Sequence, residues 1–168
     1  MEVMVASGSD ATPDRAARQE WLARCEAAYA KVYRGLIAMG ATPDDAADAL
    51  QDAFEDALRQ RTSVARPDGW LFVVANRRWH RARWRQRIFR PLQLLRGSSS
   101  SERDQEIDLL RELGRLTERQ RTVIVSRYVL GLSQREIAEL LGVAPGTVAA
   151  TVHQATALLR ERLIGGME

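Results

Sequence analysis

Between Asn76 and Arg87 the chain reads Asn-Arg-Arg-Trp-His-Arg-Ala-Arg-Trp-Arg-Gln-Arg, with six arginines and two tryptophans. Neutralising a polyanion takes dense positive charge, and guanidinium groups meet phosphates in a bidentate geometry. Tryptophans set between arginines add flat apolar surfaces on which unstacked bases of a single strand can lie. The competing reading is a solvated basic face whose tryptophans turn into a core. That reading is preferred for Trp70, which begins the apolar half of the same segment, and stays open for Trp79 and Trp84.

A second constellation lies at Leu132–Arg160, LSQREIAELLGVAPGTVAATVHQATALLR. Ser133 and Glu136 have the spacing of a capping box, and Gly142-Val143 fits a tight turn. Ile137, Ala138, Leu140 and Leu141 fall on one face of the helix before the turn; Val148, Val152, Ala155 and Leu159 fall on one face of the helix after it. Small Ala138 allows a close crossing. This is the pattern of a helix-turn-helix, whose second helix enters the major groove of duplex DNA. Ser133, Gln134 and Arg135 are placed for phosphate contacts. Gln154 has the chemistry to pair with adenine, and Thr147, Ala149 or Ala150 to touch a thymine methyl. His153 reads as an exposed contact, since no second metal ligand lies near it. An ordinary helical hairpin is the competing reading.

A third segment is acidic. From Gly40 to Leu58 the charged residues are Asp44, Asp45, Asp48, Asp52, Glu55 and Asp56, whereas Arg59 to Arg96 holds eleven arginines against Asp68 alone. Some acid near a helix start is favoured by the dipole and needs no partner. The abrupt change of sign nonetheless points to two different partners, one of them a polyanion.

Helices must position all three segments. Trp21, Leu22, Cys25, Ala28, Tyr29, Val32, Tyr33, Leu36 and Ile37 recur at helical spacing, which predicts a helix from about Asp14 to Met39. Thr42-Pro43-Asp44-Asp45 reads as the start of the next, with Thr42 as cap and Pro43 at the first helical position. Arg59 to Gly69 is expected to be a loop ending in the turn Arg66-Pro67-Asp68-Gly69, and a third helix is expected from Trp70. Pro91, Gly97 and the serine run 98–101 mark a linker. Four helical segments follow, Gln105–Leu113, one from Thr117 to Tyr128, one from Ser133 to Gly142 and one from Pro145 to Leu163; Thr117 and Gln120 again make a capping box. The expected fold is therefore all-α: a disordered segment 1–14, a helical domain 15–90, a linker 91–104 and a helix-turn-helix domain 105–165.

The chain has 168 residues, 45% of them hydrophobic, a net charge of +3 and a pI near 9.6. No apolar run is long enough to span a membrane and no basic region precedes the short apolar patch at the start, so no membrane insertion or signal peptide is expected. Cys25, the one cysteine, excludes an internal disulfide and reads as packing.

These segments, in this order, resemble an extracytoplasmic-function (ECF) sigma factor, over roughly residues 20–163. Ala47-Asp48-Ala49-Leu50-Gln51-Asp52-Ala53-Phe54 is similar to the family's region 2.2 pattern E-D-L-V-Q-E-x-F. The resemblance implies that Asp48, Leu50, Gln51, Asp52 and Phe54 bind RNA polymerase at the β′ clamp helices. Trp70 to Arg77 is similar to the W-L-x-x-I-A-x-N segment of regions 2.3 and 2.4. By the same resemblance the preceding loop, with Arg61, Thr62 and Ser63, captures a base flipped from the −10 element. Asn76 would help form that pocket, and Arg77, Arg78, Trp79, Arg81 and Arg85 would follow the melted DNA. Leu116 to Arg121 and the helix-turn-helix resemble region 4, which reads the −35 element beside the β flap; Gly146-Thr147-Val148 matches its G-T-V. The family commonly places basic residues just after that motif, but here no arginine appears before Arg160, so weaker phosphate attraction is expected.

The resulting expectation is a cytoplasmic promoter-specificity subunit with no catalytic residues, cofactor or metal, whose partners are core polymerase, promoter DNA and, from the resemblance, an anti-sigma factor. A stand-alone helix-turn-helix regulator is the alternative, and it leaves the acidic and arginine-rich helices without a role. No nucleophile–base pair, phosphate loop or metal cluster supports an enzyme.

Overall fold

The computed structural model describes residues 11–59, 65–89 and 102–165, with side chains over 15–59, 65–84 and 108–163. Seven helices and no strand occur among them: α1 (Ala11–Met39), α2 (Pro43–Arg59), α3 (Pro67–Phe89), α4 (Glu102–Gly114), α5 (Glu118–Tyr128), α6 (Gln134–Leu141) and α7 (Pro145–Gly165).

Local chemistry explains most of the boundaries. Gly40, at φ 96°, closes α1 while the Ala41 N–H donates to the Leu36 carbonyl at 3.0 Å. The Thr42 hydroxyl then accepts from the Asp45 N–H at 3.2 Å and starts α2. Both capping boxes form, Thr117 with Gln120 and Ser133 with Glu136. Three helices begin earlier than the sequence pattern predicts. Helix α1 starts at Ala11 rather than Asp14, α4 at Glu102 rather than Gln105, and α3 at Pro67 rather than Trp70. Pro67 stands at the first helical position, where its fixed φ helps and its missing N–H leaves nothing unsatisfied. The expected turn is therefore the first turn of a helix.

Helices α1, α2 and α3 pack as a three-helix unit around Val32, Leu36, Leu50, Leu71 and Phe72, all fully buried. Trp21 and Trp70 meet edge to face at 5.3 Å and tie α1 to the start of α3. The buried Cys25 thiol is pushed up to about 12 by desolvation, as suits a packing residue. Helices α4 to α7 form the second unit, with its own cluster of Leu113, Leu116, Ile124, Ala155 and Leu159.

The two units are in contact. The main core runs from α1–α3 into Val123 and Val125 of α5, then Leu130, Leu132, Ile137, Ala138 and Val148. Gly35 marks one junction: a β-carbon there would stand 3.2 Å from Phe72 and 3.4 Å from Val125, so the absent side chain lets α1, α3 and α5 meet. The linker expected at 91–104 lies outside the described residues except for its end, which belongs to α4.

Candidate nucleic-acid interface

On α2 the buried face (Ala46, Ala49, Leu50, Ala53, Ala57) holds the helix to the core, and the acids point away. Asp48, Gln51 and Asp52 are exposed. Leu50 is fully buried, so its contribution is to seat the helix rather than to present a surface. Phe54 is half-buried and stacks on Tyr29 at 6.1 Å, and Tyr29 stacks on Tyr33 at 6.3 Å. An aromatic shelf thus flanks the acidic face, and its α1 members were not legible in the α2 pattern.

On α3 the apolar half buries Leu71, Phe72, Val73 and Ala75. Asn76 is 7% exposed, and its Oδ1 has no hydrogen-bond partner among the described residues. A buried amide oxygen without a partner is expensive unless something meets it. Arg77 and Arg81 lie on the exposed side. Arg78 is turned to α2, where its Nη2 donates to Asp56 Oδ2 at 2.5 Å, and that hydrogen bond raises its pKa. Trp79 is 3% exposed and belongs to the core, so in this arrangement it offers no stacking surface. Trp84, 67% exposed, does. Arg85 lies on α3 with its side chain outside the described residues, as Arg61, Thr62 and Ser63 do entirely.

The end of the loop before α3 is pinned by α1. Arg24 donates to the Ala65 carbonyl at 2.8 Å, and Lys31 pairs with Asp68 at 3.2 Å. Arg66 grips Asp68 through Nε and Nη2, at 3.0 and 2.9 Å. Burial pushes the Asp68 carboxyl up, but Arg66, Lys31 and the Gly69 N–H outweigh it and hold the pKa below the ordinary 3.8.

In the second unit, α6 and α7 cross around buried Ala138 and Val148, and Gly142 turns the chain in the left-handed region at φ 66°. The first turns of α7 present Thr147, Ala150, His153 and Gln154 to solvent, with Ala149 half-buried. Thr151 is turned inward and donates to the Thr147 carbonyl at 2.7 Å. Ser133 caps α6, and Gln134 and Arg135 are exposed beside it. No cluster of three potential metal-ligating residues occurs among the described residues. No helix among them is long and apolar enough to cross a membrane.

An exposed acidic helix, an arginine-rich helix with a buried amide, and a helix-turn-helix with a free reading face are thus carried on one chain. Comparison with known proteins names the combination. The chain is 35% identical over 131 residues to the RNA polymerase sigma-E factor of Streptomyces avermitilis, covering 72% of each. It is 34% identical over 132 residues to the sigma-E factor of Streptomyces coelicolor, covering 73% of each. The chain belongs to the extracytoplasmic-function sigma factors. Residues 106–159 match the sigma-70 region 4 family, which places that region on α4–α7. Among solved structures the sigma factor resembles CnrH in its complex with the cytosolic domain of CnrY, with a TM-score of 0.63 at 25% identity over 90% of each chain. It also resembles the sigma factor RpoE of Bartonella quintana in complex with the anti-sigma factor NepR, with a TM-score of 0.60 at 25% identity, over 86% of this chain and 94% of that one. As a sigma factor it serves RNA polymerase in transcription initiation at promoters.

Two arginines of this sigma factor have roles that its sequence pattern did not reveal. Arg66 also reaches α6, donating to Glu136 at 2.8 Å. Arg121 of α5 donates to the carbonyls of Leu113, Met39, Gly114 and Leu116 at 2.7, 2.8, 2.7 and 3.1 Å. Glu136 lies 70 positions from Arg66 and Met39 82 positions from Arg121, beyond the reach of any periodic pattern.

Proposed function

We propose that the sigma factor divides initiation between its two units. The α2 face of Asp48, Gln51 and Asp52, flanked by Phe54, docks on the β′ clamp helices of core polymerase. The loop before α3, Asn76 and the exposed arginines Arg77 and Arg81 hold the melted −10 strand. Helix α7 reads the −35 duplex through Thr147, Ala150, His153 and Gln154. Residues 15–90 and 105–165 form the two working domains. The observation that carries this is the separation of charge: α2 shows carboxylates to solvent, while α3 shows arginines and encloses an unpaired amide. A stand-alone regulator needs neither.

With no basic residue on the first turns of α7, duplex affinity comes from few phosphate contacts, so base contacts carry a larger share of −35 preference. Gln154→Ala is expected to flatten preference at one −35 position, by about 1–3 kcal/mol of discrimination or roughly 5- to 150-fold. Strand opening once bound should be unchanged. Run-off transcription with core polymerase on a randomised promoter library measures this, and a change in −10 preference instead would reverse the assignment. The companion variant Asp48→Ala/Asp52→Ala is expected to weaken core binding at least tenfold in a fluorescence assay, since both side chains are exposed and neither is needed for the fold. Unchanged core binding would move the docking surface elsewhere. The CnrH and RpoE structures are complexes with CnrY and NepR, which supports a protein antagonist for this sigma factor as well.

A further inference from the structure

Of the four tryptophans in the chain, three serve packing. Trp21 and Trp79 are buried, and half-buried Trp70 meets Trp21 edge to face at 5.3 Å. The ring of Trp79 is also covered by Arg83, whose guanidinium lies 5.5 Å from its centre. Trp84 differs: it is 67% exposed, in the C-terminal half of α3. Arg77 and Arg81 stand seven and three positions before it, a spacing that puts all three on one side of the helix, and all three are exposed. After Asp68 no carboxylate occurs on α3. Arginines towards a helix C-terminus need no ligand to explain them, because cations are favoured at that end of the dipole. The dipole does not explain an indole left in water among them. A flat π-face beside guanidinium groups fits one ligand, a nucleic-acid strand whose phosphates meet the cations and whose base lies on the ring. A paired base offers a side chain only its edge, so the base on the ring must be out of the duplex stack.

We infer that Trp84 is a base-stacking residue, which holds a second unpaired base of the promoter strand beyond the one at Asn76. This rests on the assignment of α3 to melted DNA. At about 1.5 Å per residue, Trp84 stands about 12 Å along the helix from Asn76, the length of about three stacked nucleotides. The two contacts differ in kind. The buried Asn76 amide tells bases apart through hydrogen bonds, whereas an exposed ring accepts any base. Stacking at Trp84 therefore adds affinity for the melted strand without a sequence requirement. It does so in a chain whose α7 carries no arginine before Arg160, where the grip on duplex DNA is light.

The test uses the full chain with core polymerase on a premelted promoter. The probe is 2-aminopurine, placed at successive positions of the non-template strand, whose emission falls when it stacks. With wild type, one position about three nucleotides from the base at Asn76 should be quenched, and Trp84→Ala should raise its emission severalfold. Trp84→Ala should also weaken binding to the premelted promoter about tenfold, and Trp84→Phe, which keeps a π-face, should restore most of that loss. Binding to the fully paired promoter should not change. Both variants should keep the helicity and the core binding of wild type, since so exposed a ring supports little of the fold. Quenching at no position, an equal loss on paired and premelted DNA, or a phenylalanine variant as weak as the alanine one overturns the inference. Loss of core binding by Trp84→Ala overturns it too and makes Trp84 a docking residue. If Trp84→Ala binds as wild type while Asn76→Ala still slows opening, the stacking role fails and the assignment of α3 to the melted strand survives. If neither substitution alters opening or premelted binding, that assignment falls as well.

Discussion

Asn76→Ala is expected to slow open-complex formation by about ten- to a hundredfold, the loss of one well-placed hydrogen-bonding group on a base. The ordinary consequence of deleting a buried amide is instability. Here the sign differs, because Oδ1 has no partner among the described residues and so contributes no bond for the fold to lose. The side chain is 7% exposed on the helix that carries Arg77 and Arg81, where an extruded base would supply the missing donor. The variant should therefore melt within about 2–3 °C of wild type, corresponding to less than about 1 kcal/mol. It should also bind core polymerase normally. Permanganate reactivity of −10 thymines in the assembled complex reads the opening step directly. Normal opening with a much lower melting temperature would make Asn76 a structural residue.

Arg121→Met is expected to destabilise the chain by about 2–4 kcal/mol, on the scale of hydrogen bonds to a charged donor discounted for partial exposure. For a chain of this size that lowers the melting temperature by roughly 5–15 °C. Methionine keeps the aliphatic stem, so the loss reports the guanidinium. Its four carbonyl partners are the ends of α1 and α4 and the approach to α5, groups that a helix terminus cannot satisfy from within. Burial, then the nearby charge of Arg83, pushes the Arg121 pKa below its ordinary value, so the fold holds this cation against a desolvation penalty. The Met39 bond crosses between the units, and calorimetry should show the two units losing cooperativity together. A melting temperature within a degree or two of wild type would contradict this.

What sequence could reveal depended on whether the cause was local. The starts of α2, α5 and α6 and the end of α6 follow from caps and glycines acting within four residues, and all were legible at Thr42, Thr117, Ser133 and Gly142. Pro67 misled because the same residue types serve a turn and a first helical turn, which here closes with the Trp70 N–H donating to the Arg66 carbonyl at 3.0 Å. Trp79 and Trp84 of α3 could not be told apart by spacing alone: Trp79 faces the core and Trp84 faces solvent. Arg78 looked like its neighbours until Asp56 of α2 claimed it. The contact of the two units was invisible because its ion pair joins Arg66 to Glu136 across 70 positions, and each residue already had a local role.

As proposed, one chain carries both a polymerase-docking helix and the strand-opening and duplex-reading surfaces. The direct measurement is promoter-specific run-off transcription by purified core polymerase with and without this sigma factor, on a library of promoters in which −10 and −35 elements vary. RNA with a defined 5′ end should appear only when the chain is added and should be abolished by Asp48→Ala/Asp52→Ala. Binding to DNA without core polymerase that is as specific as with it, or core association that never yields a fixed start site, would contradict it.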